Sequence, residues 1–379
     1  MAANRESRVA GQNQIPKDPF KLRLAIWLAR AVSRLFWLLN RRVLYLLSDI
    51  GGLLFYLLFP TYRNNVRSNL SHVLGPEASD RELRRATRNV FRTSARNFAD
   101  LTRVPRLSPE QLLASVRTNP EGIEGLEQVV ASGKGGVLVT AHFGAFDYVG
   151  QILWLRGYEL TLLTARTVPE FIDAAVTYLR GSRGARMEPA TPGGVRRVLT
   201  ALKRGQLIGI VADRDFFQNG KPVTFFGTET TLPPGPIRIA RDSGAPIIPT
   251  FARRERGGYY MHVEEPFFVE KTDNAEEDIR KGLAQLVEVF ERQLRSAPDQ
   301  WVMFQRVWTA APQQAIRVFP VGSPLDGKIL GPSSEERDRW ASHEGEKQAR
   351  PVQEDEPRSS NPSIGHYPNT ARPDSSGSS

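Results

Sequence analysis

No cysteine occurs among the 379 residues, which excludes thiol nucleophiles, disulfide bonds and cysteine–zinc sites together. Histidine is nearly as scarce. The five are His72, His142, His262, His343 and His366, and none has another at metal-ligand spacing, so no metal and no bound cofactor is expected. No serine stands in a Gly-x-Ser-x-Gly elbow, which removes support for a hydrolase of that design. An acidic excess is missing too. The formal net charge is +10, arginine far outnumbers lysine, and the partners this implies are anionic: membrane lipid, nucleic acid or phosphorylated substrates. Neither a nucleic-acid-binding module nor a run of aromatic-and-basic surface strands is present, so nucleic acid is set aside. Nothing in the pattern specifies an oligomeric state.

A cleavable signal peptide and a clean membrane span are also lacking. Residues 1–18 are polar and aperiodic and read as a flexible N-terminus. Residues 19–62 are strongly apolar, but Asp49, Gly51 and Gly52 interrupt the run. Arg23, Arg30, Arg34, Arg41 and Arg42 interleave with it, beside Trp27, Phe36 and Trp37. Interleaved arginine and tryptophan suit helices lying in a membrane interface, rings at headgroup depth and guanidinium groups toward lipid phosphate. The alternatives are an amphipathic pair packed on the protein's own core, or a true span. Residues 80–101 follow a helical period through Leu83, Ala86, Val90, Phe91, Ser94, Phe98 and Leu101. Arg81, Arg85, Arg88, Arg92 and Arg96 form a stripe on another face, either solvated or meeting an anionic surface.

Residues 63–318 form the body of the chain. Strand patterns at 136–140, 160–164, 206–212, 245–253 and 259–269 alternate with helical patterns at 146–156, 170–180, 193–203, 237–242 and 276–294. This predicts an α/β fold, a mostly parallel sheet flanked by helices. Over residues 319–379 the apolar pattern gives way to Ser, Pro, Glu, Arg and Asp, which predicts a disordered tail.

Three segments carry chemistry. In Val137-Leu-Val-Thr-Ala-His142-Phe-Gly-Ala-Phe-Asp147 an apolar strand ends on a histidine, and a carboxylate follows after a glycine turn. With Asp147 in the first turn of the next helix, its carboxylate would accept from Nδ1 and leave Nε2 free as a base for acyl transfer. Asp213-Arg214-Asp215 ends a second apolar strand, where ligands gather in open α/β sheets; a loop stabilised by its own ion pair is the other reading. Phe225-Phe226-Gly227, with Leu232-Pro-Pro-Gly235 after it, reads as an apolar pocket wall or as ordinary core.

Taken together, these segments resemble the lipid A biosynthesis acyltransferase superfamily, which includes lauroyl- and myristoyl-type acyltransferases and phosphatidylinositol mannoside acyltransferases and is lysophospholipid acyltransferase-like. The resemblance covers roughly Phe20 to Ala310. Its other elements are Arg63 with Asn69-Leu70, Arg166, and Pro298-Asp-Gln-Trp301 through Trp308. It implies a glycerolipid acyltransferase-like fold. His142 would be the catalytic base and Asp147 its orienting partner. Arg166, Asp213, Arg214, Phe225, Phe226 and Gly227 would meet substrate. The reaction implied moves an acyl chain from acyl-CoA or acyl-carrier protein to a hydroxyl of a membrane glycolipid. The expected location is the plasma (inner) membrane, peripheral or monotopic, with the site on the cytoplasmic side. Three positions depart from the family's branches. Ala145-Phe146 stands where the glycolipid-specific branch often has Asn and Trp, and Asp147 where the lipid A enzymes mostly carry Glu. Pro222 stands where the mannoside branch is expected to have an acid. The acceptor lipid therefore stays open. The rival of another class is a non-catalytic membrane scaffold.

Overall fold

A computed structural model describes residues 19–165 and 170–309. The predicted flexible N-terminus, the predicted tail and Arg166 lie outside these. Helices α1 (Pro19–Leu38), α2 (Arg41–Leu58), α3 (Pro60–Leu74), α4 (Asp80–Arg103) and α5 (Pro109–Ala114) come first. Then follow β1 (Val116–Thr118), α6 (Pro120–Ala131), β2 (Gly136–Thr140), α7 (Phe146–Val149), α8 (Gln151–Leu155), β3 (Leu160–Thr164) and α9 (Glu170–Gly181). The chain continues through β4 (Arg186–Pro189), α10 (Pro192–Lys203), β5 (Leu207–Val211), β6 (Lys221–Phe225), β7 (Thr228–Leu232) and α11 (Gly235–Ser243). It closes with β8 (Ile247–Glu255), β9 (Gly258–Val263) and α12 (Ala275–Ser296).

The expected α/β architecture is what forms. Seven strands make one sheet in the order β1-β9-β8-β2-β5-β3-β4, parallel except for the antiparallel pair β8–β9. Alternation along β2 sends Val137 and Val139 into the core under α10 to α12 and Leu138 into the core under α6 to α8. Both faces of the sheet are covered, as parallel sheets require. Two expectations change in detail. The helix over 146–156 is two short helices joined at Gly150, and the strand over 259–269 ends at Val263.

α12 shows how the body is built. Asn274 caps it, Glu276, Glu277 and Asp278 occupy its first turn, and Arg295 its last. Ile279, Leu283, Leu286, Phe290 and Leu294 recur at three- and four-residue steps and are buried. Each such side chain contributes about 1.5–3 kcal/mol. α2 has the opposite polarity. Its polar side faces α4: Asp49 accepts from Arg92 and Arg96 at 2.6 Å, and Tyr45 donates to Asp100 at 2.9 Å. A Cβ on Gly52 would lie 2.7 Å from the Phe91 carbonyl oxygen, so only glycine lets the two helices approach this closely. Its outer face carries Leu46, Ile50, Leu54, Leu57 and Leu58, between 48 % and 68 % exposed. The predicted basic stripe of α4 is thereby corrected: Arg92 and Arg96 are spent on Asp49, while Arg81, Arg85 and Arg88 stay exposed. Phe98, predicted on the apolar face, is 55 % exposed. Among the described residues no single helix is long and apolar enough to cross a membrane; α2 and α3 together have the length but bend by 97°.

Candidate active site

Strand register builds the site. β2 and β5 are adjacent and parallel, with Thr140 opposite Val211. Two residues beyond each, His142 and Asp213 therefore lie side by side at the carboxyl ends of neighbouring strands. His142 Nδ1 is 2.8 Å from Asp213 Oδ1, and the His142 main-chain N–H donates to Oδ2 at 2.8 Å. Trp301 Nε1 donates to the same Oδ2 at 2.8 Å. Asp213 is completely buried. Burial pushes its carboxyl up, but the His142 charge and the hydrogen bonds from His142 and Trp301 outweigh that and hold it below the usual range. An ionised carboxylate only accepts, so in the neutral ring Nδ1 carries the proton and Nε2 keeps its lone pair. Nε2 has no hydrogen-bond partner among the described residues, and the ring lines a cavity.

The turn after His142 is clamped from three sides. The His142 carbonyl accepts from the Val302 amide at 2.8 Å, and the Gly144 amide donates to the Gln300 carbonyl at 2.8 Å. Asn97 Nδ2 donates to the Gly144 carbonyl at 2.6 Å, and its Oδ1 accepts from Arg254 at 2.7 Å. Arg254 in turn pairs with buried Asp100 at 2.7 Å. Gly144 has φ +56°, and a Cβ there would lie 1.7 Å from the Ala252 carbonyl oxygen, so no other residue fits.

The cavity measures about 420 Å³, within the range of small-molecule sites. It runs between the sheet and α7–α8. Its apolar lining includes Leu153, Trp154, Leu160, Leu162 and Met261. His142, Asp147, Arg180 and Arg214 supply polar groups, and Tyr62, Phe216 and Gln305 also line it. Tyr62 is 40 % exposed and follows Phe59 in the apolar surface that continues from α2. Among the described residues no cluster of three or more His, Cys, Asp or Glu could hold a metal ion.

Several site expectations need correction. The Asp147 carboxylate does not reach Nδ1. From the first turn of α7 it pairs with Arg180 of α9, with Nε–Oδ1 at 2.7 Å and Nη2–Oδ2 at 2.9 Å. Asp213, expected to meet substrate, is enclosed beneath the histidine. Phe225, Phe226 and Gly227 do not line the cavity. Phe226 (φ +50°) and Gly227 (φ +73°) are the two turn residues of the β6–β7 hairpin, a conformation that such tight hairpins require. Phe225 is packed edge-on against Trp301 and stacked on Trp308, so it supports the residue that holds Asp213. Arg214 does line the cavity. Burial lowers its pKa, partly offset by Asp213, and its guanidinium lies over the Phe216 ring at 5.3 Å. Arg166 lies outside the described residues. Sequence reading assigned no role to Trp301, Asn97, Gln300 or Arg180. Gln300 and Trp301 carried a signal, as part of the Pro298–Trp308 resemblance.

Comparison with known proteins agrees in extent with this fold. The family model for bacterial lipid A biosynthesis acyltransferases matches residues 18–310. The phosphatidylinositol mannoside acyltransferase of Mycobacterium tuberculosis is 28 % identical over 251 residues, which is 65 % of this chain and 77 % of that protein. Its counterpart in Mycolicibacterium smegmatis is 28 % identical over 251 residues, 65 % and 79 % of the two chains. A lipid A biosynthesis acyltransferase of Haemophilus influenzae is 29 % identical over 184 residues, 48 % of this chain and 56 % of that one.

Proposed function

This chain belongs to the bacterial lipid A biosynthesis acyltransferase family, and from that premise we propose that it carries a fatty acyl group from a coenzyme A or carrier-protein thioester to a hydroxyl of a membrane glycolipid. One observation carries the mechanism: a histidine whose Nδ1 is tied to a buried carboxylate and whose ring lines a cavity with many apolar side chains. The acceptor hydroxyl approaches Nε2, and its oxygen attacks the thioester carbonyl carbon as Nε2 takes the proton. The carbonyl electron pair moves onto oxygen, where Arg214 is the donor in reach of the cavity. Collapse breaks the carbon–sulfur bond, and the thiolate leaves with the proton from His142. No acyl-enzyme is required. The acyl chain occupies the depth of the cavity, where each buried methylene contributes about 0.8 kcal/mol.

The similarity to the mannoside acyltransferases runs over more of the chain than that to the Haemophilus lipid A enzyme. It favours a mannosylated phosphatidylinositol as acceptor, with a lipid A precursor and a lysophospholipid as alternatives. The apolar outer face of α2, continuous with Tyr62 at the cavity, supports a protein seated on the inner membrane. Donor thioesters are made in the cytoplasm, so the cavity opens on that side. The test incubates the purified full chain with labelled acyl thioesters and vesicles carrying each acceptor in turn, and identifies the product by mass spectrometry. Transfer to the phosphoinositol mannoside is expected. Absence of transfer to any acceptor hydroxyl would sink the proposal and favour the scaffold.

A further inference from the structure

We propose a second binding site on this chain, for a phosphate group, in the cleft between α3 and α4 beside the α2–α3 bend. The cleft has a volume of about 220 Å³ and is lined by Tyr56, Arg63, Asn64, Arg67, Arg84 and Thr87. Its composition follows from helix geometry. Arg63 and Arg67 are four apart on α3, and Arg84 and Thr87 are three apart on α4, so each pair shares a face. The two faces meet across the cleft.

The charges there do not balance. Asp80 is the carboxylate at this place and pairs with both Arg67 and Arg84. Arg63 has no carboxylate partner among the described residues. Its guanidinium lies over the Tyr56 ring at 5.4 Å and donates to the Tyr56 carbonyl at 3.3 Å, which fixes it without neutralising it. Elsewhere Arg92 and Arg96 share Asp49, and Arg254 pairs with Asp100. Three guanidinium groups and one carboxylate thus leave two positive charges at an open cleft. Guanidinium groups grip phosphate oxygens through paired hydrogen bonds, and Asn64 can add another donor.

The location says which phosphates reach it. Leu57, Leu58 and Phe59 are exposed at the bend a few residues before Arg63. Apolar side chains beside a basic cleft match the step from acyl chains to headgroup phosphates in a bilayer. Tyr62, which lines the catalytic cavity, immediately precedes Arg63. This placement rests on the membrane-seated reading proposed above; the charge argument does not.

The experiment uses the full chain and a double substitution, Arg63→Gln with Arg84→Gln. The matched control is Arg85→Gln with Arg88→Gln, which removes the same charge from exposed positions of α4. Flotation is measured with phosphatidylcholine vesicles and with vesicles that also contain phosphatidylglycerol. A second arm follows the thermal midpoint as inorganic phosphate is added. The cleft variant should bind the anionic vesicles at least about tenfold more weakly than the control variant, where loss of surface charge alone would make the two equal. Equal flotation with a phosphate-induced stabilisation lost only in the cleft variant would keep the site and make free phosphate its ligand. If both variants behave alike in both arms, the site does not exist. Wild-type protein that floats with neither vesicle would overturn the membrane reading, and the phosphate arm would still decide the cleft. Should the double variant fail to fold, Arg63→Lys, which keeps the charge and loses the fork, replaces it and should show a several-fold loss.

Discussion

Asp147 lies five residues after His142 and turns away from it to Arg180, whereas Asp213 lies 71 residues away and holds both the ring and the main chain of that histidine. The two carboxylates border one site and differ in what positions them. Asp213 is placed by the pairing of β2 with β5, which sets strand ends side by side regardless of distance along the chain. Asp147 is placed by the direction in which α7 leaves the turn at Gly144, and that direction faces α9. Closeness in sequence is thus a poor guide to who orients a catalytic base, and strand register is a good one.

Substitutions sharpen the contrast, beginning with the histidine itself. His142→Ala should lower the rate of acyl transfer by about 10²–10⁴-fold with unchanged circular dichroism, since no other histidine lines the cavity and the Asp147 carboxylate there is paired with Arg180. A rate within a few-fold of wild type would remove the mechanism. Asp213→Asn should come next, on the order of 10²-fold or more, because an amide stabilises the wrong tautomer and not the imidazolium. Asp147→Asn should cost less in rate, about tenfold, and act mainly on stability by unpairing Arg180. Both side chains are slightly over a fifth exposed, so a loss of about 1–3 kcal/mol in chemical denaturation is expected after allowing for solvent screening. If Asp147→Asn proves the more damaging to turnover, the ranking argued from register is wrong. Trp301→Phe deletes one hydrogen bond to the Asp213 carboxylate and should reduce turnover by up to about tenfold, most visibly in kcat.

The smallest effect concerns pH. Asp213 has a folded-state pKa below its ordinary value. Its stabilising contribution is therefore complete above the unfolded-state pKa near 3.8 and lost as pH falls through the lower folded value. Between pH 5 and pH 8 this group should add no slope to the thermal midpoint. Below about pH 4, Asp213→Asn should show a shallower acid-induced decline than wild type. Parallel declines would mean the carboxylate is not held as described.

Much of the interior was legible because buried parallel strands are written as unbroken apolar runs. β2, β3, β5 and β8 fall where Val, Leu and Ile cluster. Within the seven-stranded sheet, the strands that sequence did not reveal are β1 and β4, Val-Arg-Thr and Arg-Met-Glu-Pro, and these are its two edges. An edge strand is short and covered on one side only, so it needs no apolar pattern. The β6–β7 hairpin was hidden for another reason: Phe226 occupies a left-handed turn position that a bulky residue rarely takes, held there by the Glu291 carboxylate on its amide at 2.5 Å. In α2 the interrupted apolar run does not say which face points inward. Asp49 and Tyr45 decide that through partners on α4, and partners are not written in the local sequence.

The wide spacing of the site along the chain also sets the order of events in its synthesis. Asp213 cannot meet His142 before β5 is made, and Trp301, 88 residues further on, closes the far side of the carboxylate. The amide of Val302 and the carbonyl of Gln300 then lock the turn. A nascent chain that ends before residue 300 thus carries every side chain that lines the cavity except Gln305 and still lacks the brace behind its base. Long-range closure of this kind is slow, because loop entropy is lost before contacts compensate. During refolding from denaturant, recovery of catalytic turnover should therefore trail recovery of helical signal, and ribosome-bound chains stalled before Trp301 should be inactive.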